Sequence, residues 1–168
     1  MGARMAEALE VAAVDEDPPL GTESDAGELV VQLDVTLAAD VANISPVVEE
    51  VLRAVRESGC GPEGHFEVET ALREALANAI THGSGNDRSK PVRCWVACDR
   101  EGDVVIVVRD SGPGFNPLQL SSPLAGQNLY AHHGRGIYLI NQLMDEVRFD
   151  RGGTEIRMRK RLPPGNGD

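Results

Sequence analysis

Residues 92–114 read VRCWVACDREGDVVIVVRDSGPG, a β-hairpin followed by a glycine-rich loop. Two runs of strand-forming residues, 92–98 and 103–109, flank a short turn at residues 99–102. The second run contains five consecutive apolar residues, which is typical of a central strand covered on both faces. Asp110 follows this strand directly. The stretch therefore predicts the middle of a β-sheet with a half-buried carboxylate at its end.

The segments on either side of this hairpin predict further strands and helices. Residues 29–37 alternate between apolar and polar side chains, which indicates a strand with one buried face. The next helix is capped by Asp40 or Ser45, carries an apolar stripe and ends before Gly59. The remaining predicted elements are helices over residues 63–82 and 136–146 and a closing hairpin of residues 147–150 and 154–161. Together these elements predict an α+β domain.

Size and composition are those of one globular domain with tails. The chain has 168 residues, 41% of them apolar, and a net charge of −11, which disfavours binding to nucleic acids or anionic membranes. No stretch approaches the length of about 20 apolar residues that a membrane span requires. The three cysteines are predicted to be reduced. We expect a cytoplasmic protein with a disordered acidic tail at residues 1–27, one domain at residues 28–162 and a short tail at residues 163–168.

Glu74 and Asn78 are one helical turn apart in the predicted long helix and share a face that points away from the main core. The amide oxygen of Asn78 suits Mg²⁺, which prefers oxygen ligands and retains waters and phosphate oxygens. The carboxylate of Glu74 suits a general base that accepts a proton from a water or a hydroxyl. The alternative is a solvated helix face on which this pair only supports the helix.

Asp110 and the glycines that follow it suit a purine site. A half-buried carboxylate needs hydrogen-bond donors, and the exocyclic amine of adenine is one. Hydrogen bonds of this kind discriminate strongly between purines. Gly112 and Gly114 allow the backbone to approach a ligand closely. The alternative is an aspartate that simply ends a strand before a Gly-Pro-Gly turn.

Gly134, Arg135 and Gly136 stand where a loop enters the next predicted helix. Free amides at a helix N-terminus attract anions, so this position suits the α- and β-phosphates of a nucleotide. Arg135 is expected to point toward phosphate or toward a protein partner, and both remain open. Thr154, after two glycines, either binds the base or Asp110 through water or simply begins a strand. The chain has neither a Walker A loop nor a Rossmann fingerprint.

These motifs resemble those of the GHKL ATPase superfamily, which includes gyrase, histidine kinases and MutL. Residues 74–78 are similar to its N box, residues 110–114 to its G1 box and residues 134–136 to its G2 box. Residues 78–83 and 143–147 most resemble the anti-sigma factor serine kinases of the RsbW type. The resemblance implies a two-layer α/β sandwich with helices on one face of a mixed, mostly antiparallel sheet.

The resemblance also implies roles and partners. Glu74 would be the base and Asn78 the Mg²⁺ ligand, and the residues that bind ATP would be Asp110, Gly112, Gly114, Gly134, Gly136 and Thr154.

The implied reaction is phosphorylation of a serine on a STAS-domain antagonist, by a homodimer that also sequesters a sigma factor. The edge of the strand at residues 29–37 is expected to contribute to the dimer, and residues 111–134 are expected to form a lid that ATP orders. The alternative function is a nucleotide-dependent switch that holds a protein partner without efficient phosphotransfer. The presence of Glu74 favours the kinase.

Overall fold

The computed structural model describes residues 9–10, 29–59, 64–99, 101–115 and 132–161. These residues form one β-sheet and three α-helices. The strands are β1 (Leu9–Glu10), β2 (Leu29–Leu37), β3 (Val92–Asp99), β4 (Asp103–Arg109), β5 (Glu146–Asp150) and β6 (Glu155–Arg161), and the helices are α1 (Ile44–Glu57), α2 (His65–Asn78) and α3 (His132–Leu143).

The sheet has the strand order β1-β2-β3-β4-β6-β5, and every described pair of neighbours is antiparallel. The α+β prediction is confirmed, with one correction: the described sheet is antiparallel rather than mixed. After α3, the chain enters β5 in the same direction as β4. The two strands would form a parallel pair if they were neighbours. β6 folds back between them instead, so each strand meets an antiparallel partner.

The helices cover one face of the sheet. Alternate side chains of the central strands, such as Val96 on β3 and Ile106 on β4, belong to the same buried cluster as Val51 of α1, Leu76 of α2 and Ile140 of α3. A period of two in the strands and of 3.6 in the helices brings all these apolar side chains into one core. This core holds α2 and α3 against the central strands.

The opposite face of the central strands is also buried. Trp95 and Ala97 of β3 and Val105 and Val107 of β4 form a second apolar cluster, in which Trp95 is only 2% exposed. Residues 104–108 are therefore covered on both faces, as their continuous apolar sequence predicted.

Several predicted elements are confirmed, and the helix boundaries differ most. Strands β2, β3 and β4 occupy the predicted segments to within one residue. Asp40 caps a 3₁₀ turn (Val41–Asn43) that precedes α1, because its carboxylate accepts a hydrogen bond from the backbone N–H of Ala42. Helix α3 begins at His132 instead of residue 136, and Thr154 precedes β6 instead of starting it.

The long predicted helix is α-helical only as far as Asn78. It continues as a π turn, Ala79–Gly83, which is closed by a hydrogen bond of 2.8 Å from the backbone N–H of Ser84 to the carbonyl of Ala79. Such turns widen a helix locally and are frequent at functional sites. The widened turn here lies beside Asp110, as described below.

The edge of the sheet at β2 is partly covered. β1 pairs with the Thr36–Leu37 end of β2, so that part of the edge is not open.

Cys98 is disulfide-bonded and Cys94 is a buried free thiol, so the prediction of reduced cysteines is wrong at Cys98. Disulfide formation depends on how close two cysteines come in the fold, which spacing along the chain does not determine.

Among the described residues, no helix combines the length and the apolar character that crossing a membrane requires.

Candidate functional site

A cavity of about 280 Å³ lies between α2, α3 and the end of the sheet where β4 stops and β6 begins. Its walls are mainly apolar, with a few polar groups directed into it. The apolar walls come from Ala75, Ala79, Val108, Phe115, Ile137, Phe149 and Ile156, and the polar groups from Asn78, His82, Asp110 and Thr154. A mainly apolar cavity with a small number of polar groups is the usual form of a small-molecule site.

Asp110 is a half-buried hydrogen-bond acceptor that lines this cavity. Its backbone N–H donates to the carbonyl of Thr154 over 2.9 Å, and its Oδ1 accepts from the backbone N–H of Gly112 over 2.8 Å. Burial raises the pKa of the Asp110 carboxyl, and the hydrogen bond from Gly112 offsets part of that effect. Among the described residues, no donor reaches Oδ2. One carboxylate oxygen is therefore free to accept a hydrogen bond from a ligand.

Gly83 places the end of α2 directly against this carboxylate. A methyl group built on Gly83 would overlap Cγ and Oδ2 of Asp110, and one built on Gly112 would overlap the carbonyl oxygen of Gly83. The backbone of the π turn thus packs against the side chain of Asp110 and against the loop after β4. There is no room for a side chain at Gly83 or at Gly112. The sequence predicts that the helix ends just before Gly83, and no local signal indicates that this glycine makes room for a carboxylate.

We expect Gly83→Ala to weaken adenine-nucleotide binding by about ten- to a hundredfold, since overpacking of this kind costs about 1–3 kcal/mol. The new methyl group must displace the carboxylate of Asp110. Calorimetric titration with a non-hydrolysable ATP analogue measures the effect.

The control is Gly85→Ala. Gly85 has a φ of +62° but no heavy atom near the position of a Cβ, so this variant should lose some stability through backbone strain and keep its affinity. Equal affinity of Gly83→Ala and wild type would mean that Asp110 does not depend on Gly83.

A second cavity, of about 320 Å³, adjoins the first and contains Glu74. Asn78 and His82 line both cavities. A Cβ at Gly136 would lie 2.8 Å from Oε2 of Glu74 and 3.0 Å from Nδ2 of Asn78. The first turns of α3 therefore pack closely against both polar side chains of α2, and Gly136 provides the space for them.

Of the predicted phosphate-binding residues at the start of α3, Arg135 and Gly136 line the second cavity. Gly134, Arg135 and Gly136 lie in the first turns of α3, which begins at His132. The free amides of a helix N-terminus belong to its first residues, so Gly134 is closer to that position than Gly136. Arg135 is exposed and lines the second cavity together with Glu74.

Thr154 lines the first cavity together with Gly114 and Gly153. The hydroxyl of Thr154 donates to the carbonyl of Arg151 over 2.9 Å, while its own carbonyl accepts from Asp110. A Cβ at Gly114 would overlap the carbonyl oxygen of Gly152. Thr154 is thus held at the cavity wall and contacts Asp110 through backbone, whereas a water-mediated side-chain bond was one of the expectations.

Sequence reasoning missed most of the apolar wall. Phe115 and Phe149 pack edge to face with ring centroids 5.3 Å apart, and both line the first cavity. Phe149 follows the period-two pattern of a strand and Phe115 follows a turn, so neither carried a signal of a ligand site. Residues 116–131 of the predicted lid lie outside the described residues.

Within the part of the chain that the structure describes, no three His, Cys, Asp or Glu side chains converge to hold a metal ion. Asn78 offers one neutral oxygen at the boundary of the two cavities. This fits Mg²⁺, which retains several waters and phosphate oxygens and needs few protein ligands when a nucleotide is bound.

Comparisons with known proteins agree with this geometry. Residues 37–160 match the family model of the histidine kinase-like ATPase domain. The chain is 30% identical over 135 residues to an anti-sigma F factor of Clostridium novyi, covering 76% of this chain and 82% of that protein. It is 31% identical over 134 residues to the anti-sigma F factor of Anoxybacillus flavithermus, covering 76% and 81%.

A solved structure confirms the fold. The crystal structure of the RsbU and RsbW domains of a Mycobacterium tuberculosis protein superimposes with a TM-score of 0.56 and 20% identity. The match covers 79% of this chain but 32% of that longer chain. The chain therefore belongs to the histidine kinase-like ATPase family, in the group that contains the anti-sigma F factors.

Proposed function

We propose that this protein is an ATP-dependent serine kinase and an anti-sigma factor, which phosphorylates a STAS-domain antagonist and sequesters a sigma factor. The observation that carries the proposal is the position of Glu74, which lines the second cavity one helical turn from Asn78. The ATPase domain implies ATP as the nucleotide, and the names of the anti-sigma F factor relatives support the sigma factor as a partner.

The first cavity has the properties that adenine requires. Its walls are apolar, and the free Oδ2 of Asp110 is an acceptor for the exocyclic amine. Guanine presents a carbonyl oxygen at the same position. Two hydrogen-bond acceptors, this oxygen and Oδ2 of Asp110, would then face each other. Adenine selection by Asp110 is thus the first element of the proposed function.

Asn78 lies between the proposed adenine site and the proposed phosphate site, because it lines both cavities. In this position its amide oxygen would hold Mg²⁺, which neutralises phosphate charge when it is bound. The N-terminal turn of α3 would contribute backbone amides to the phosphates. Nucleotide and metal would then place the γ-phosphate in the second cavity, beside Glu74.

In the proposed reaction, the oxygen of the acceptor serine forms a bond to the γ-phosphorus while the bond from that phosphorus to the β–γ bridging oxygen breaks. ADP is the leaving group. The proton of the serine passes to the carboxylate of Glu74, since among the described residues no hydrogen bond or ion pair occupies that carboxylate. A positioned base of this kind contributes about 10²–10⁴-fold to the rate.

We also propose that the protein acts as a homodimer. Among the described residues, β1 covers only the Thr36–Leu37 end of β2, which leaves the rest of that strand edge without a strand partner. Unpaired strand edges invite pairing or cover. The proposed dimer would present one composite surface to the sigma factor.

The function is tested by incubating the protein with γ-labelled ATP, Mg²⁺ and the STAS-domain proteins encoded near its gene. We expect label on a serine of one of them. Formation of a stable, nucleotide-dependent complex with no labelled product would contradict the kinase and favour a switch that only holds its partner.

A further inference from the structure

The second cavity has an apolar wall that phosphate binding does not explain. Val41, Phe66 and Leu139 are the large apolar side chains that are exposed among the described residues. Of these three, only Leu139 lines either of the two cavities, and it is 36% exposed there. Ala77 lines the same cavity. Apolar groups add nothing to the binding of a highly charged triphosphate, so this wall suits a different ligand group.

The wall belongs to a groove between α2 and α3. Glu74 and Ala77 are three residues apart on α2, and Arg135 and Leu139 are four residues apart on α3. Such spacings place each pair on one helix face. The groove is continuous with the nucleotide cavity through Asn78. A group bound in the groove therefore lies beside Glu74, the proposed general base.

We propose that Ala77 and Leu139 form a docking subsite for the acceptor protein, and that Leu139 determines which serine is used. This inference rests on the proposed kinase function. An apolar side chain next to the acceptor serine packs on Leu139, which holds that segment of the acceptor in the cavity that contains Glu74. Arg135, exposed on the same helix face, favours an acceptor segment that also carries an acidic side chain.

The test uses the full-length protein and the STAS-domain antagonist that it phosphorylates. We expect Leu139→Ala to raise the KM for the antagonist by about 3- to 6-fold, because the gain from burial scales with the area removed from water and only the exposed 36% of this leucine is left to bury. The kcat at saturating antagonist and the Kd for ATP should stay within about twofold of wild type. Leu139→Met should restore most of the loss, because methionine has a similar volume.

The matched control is Phe66→Ala. Phe66 is 71% exposed and lines neither cavity, so its removal should change neither KM nor kcat. A KM for Leu139→Ala equal to that of wild type would overturn the docking subsite and leave the kinase function intact. A lower ATP affinity with unchanged KM would assign Leu139 to the nucleotide site, which also overturns the inference.

A binding measurement keeps the two proposals separate. Calorimetry with the antagonist and a non-hydrolysable ATP analogue needs no phosphotransfer. If the wild-type protein binds the antagonist but transfers no phosphate, the kinase function fails. A weaker complex of Leu139→Ala in that titration would still support Leu139 as a docking residue, and an equally tight complex would reject it.

Discussion

Glu74→Gln is expected to lower the rate of phosphotransfer by about 10²–10⁴-fold, the contribution of a positioned general base. The amide has nearly the shape of the carboxylate, so it fits the space beside Gly136. It does not accept the serine proton at neutral pH. Binding of nucleotide and of both protein partners should remain. Single-turnover transfer from γ-labelled ATP to the antagonist measures the chemical step, and calorimetry measures the binding.

The matched control is Glu69→Gln on the same helix. Glu69 forms a salt bridge of 3.2 Å with Arg73, and both side chains are exposed to solvent. Surface pairs of this kind contribute about 0–1 kcal/mol to stability, so this variant should transfer phosphate at the wild-type rate. Transfer by Glu74→Gln at that same rate would show that the base lies elsewhere.

The strands and the polar face of α2 could be predicted because their signals are local. The period of two at residues 33–37, and the apolar run before Asp110, follow directly from which side chains are buried. Glu74 and Asn78 share a helix face by spacing alone. The sequence thus placed a carboxylate and an amide together, and it placed a second carboxylate at the end of a strand.

The arrangement around Asp110 could not be predicted, because it depends on contacts between distant segments. The π turn brings Gly83 onto a carboxylate 27 positions further along the chain. Local propensity favours an ordinary α turn at Ala79–Gly83, because π turns are rare, and a glycine there is equally typical of a helix end. The insertion of β6 between β4 and β5 is another tertiary outcome: the expected sheet was mixed and mostly antiparallel, whereas every described pair of strands is antiparallel.

Asp110→Asn is expected to weaken ATP binding by about a hundredfold or more, since a hydrogen bond to a charged group contributes about 1.5–3 kcal/mol and two opposed donors add a penalty. The amide oxygen can keep the bond from Gly112, which occupies Oδ1 in the wild type. Its NH₂ group then faces the adenine amine. Guanine presents an acceptor at this position, so the preference for ATP over GTP should shrink. Calorimetry with both nucleotides measures the ratio.

The unliganded Asp110→Asn variant should be at least as stable as the wild type at neutral pH. Burial raises the pKa of Asp110, so the folded state binds the proton more tightly than the unfolded chain. Wild-type stability therefore falls as the pH rises from the ordinary aspartate pKa through the raised one. Asparagine removes this dependence. A thermal scan at several pH values tests it, and unchanged ATP affinity in a stably folded variant would reject Asp110 as the adenine acceptor.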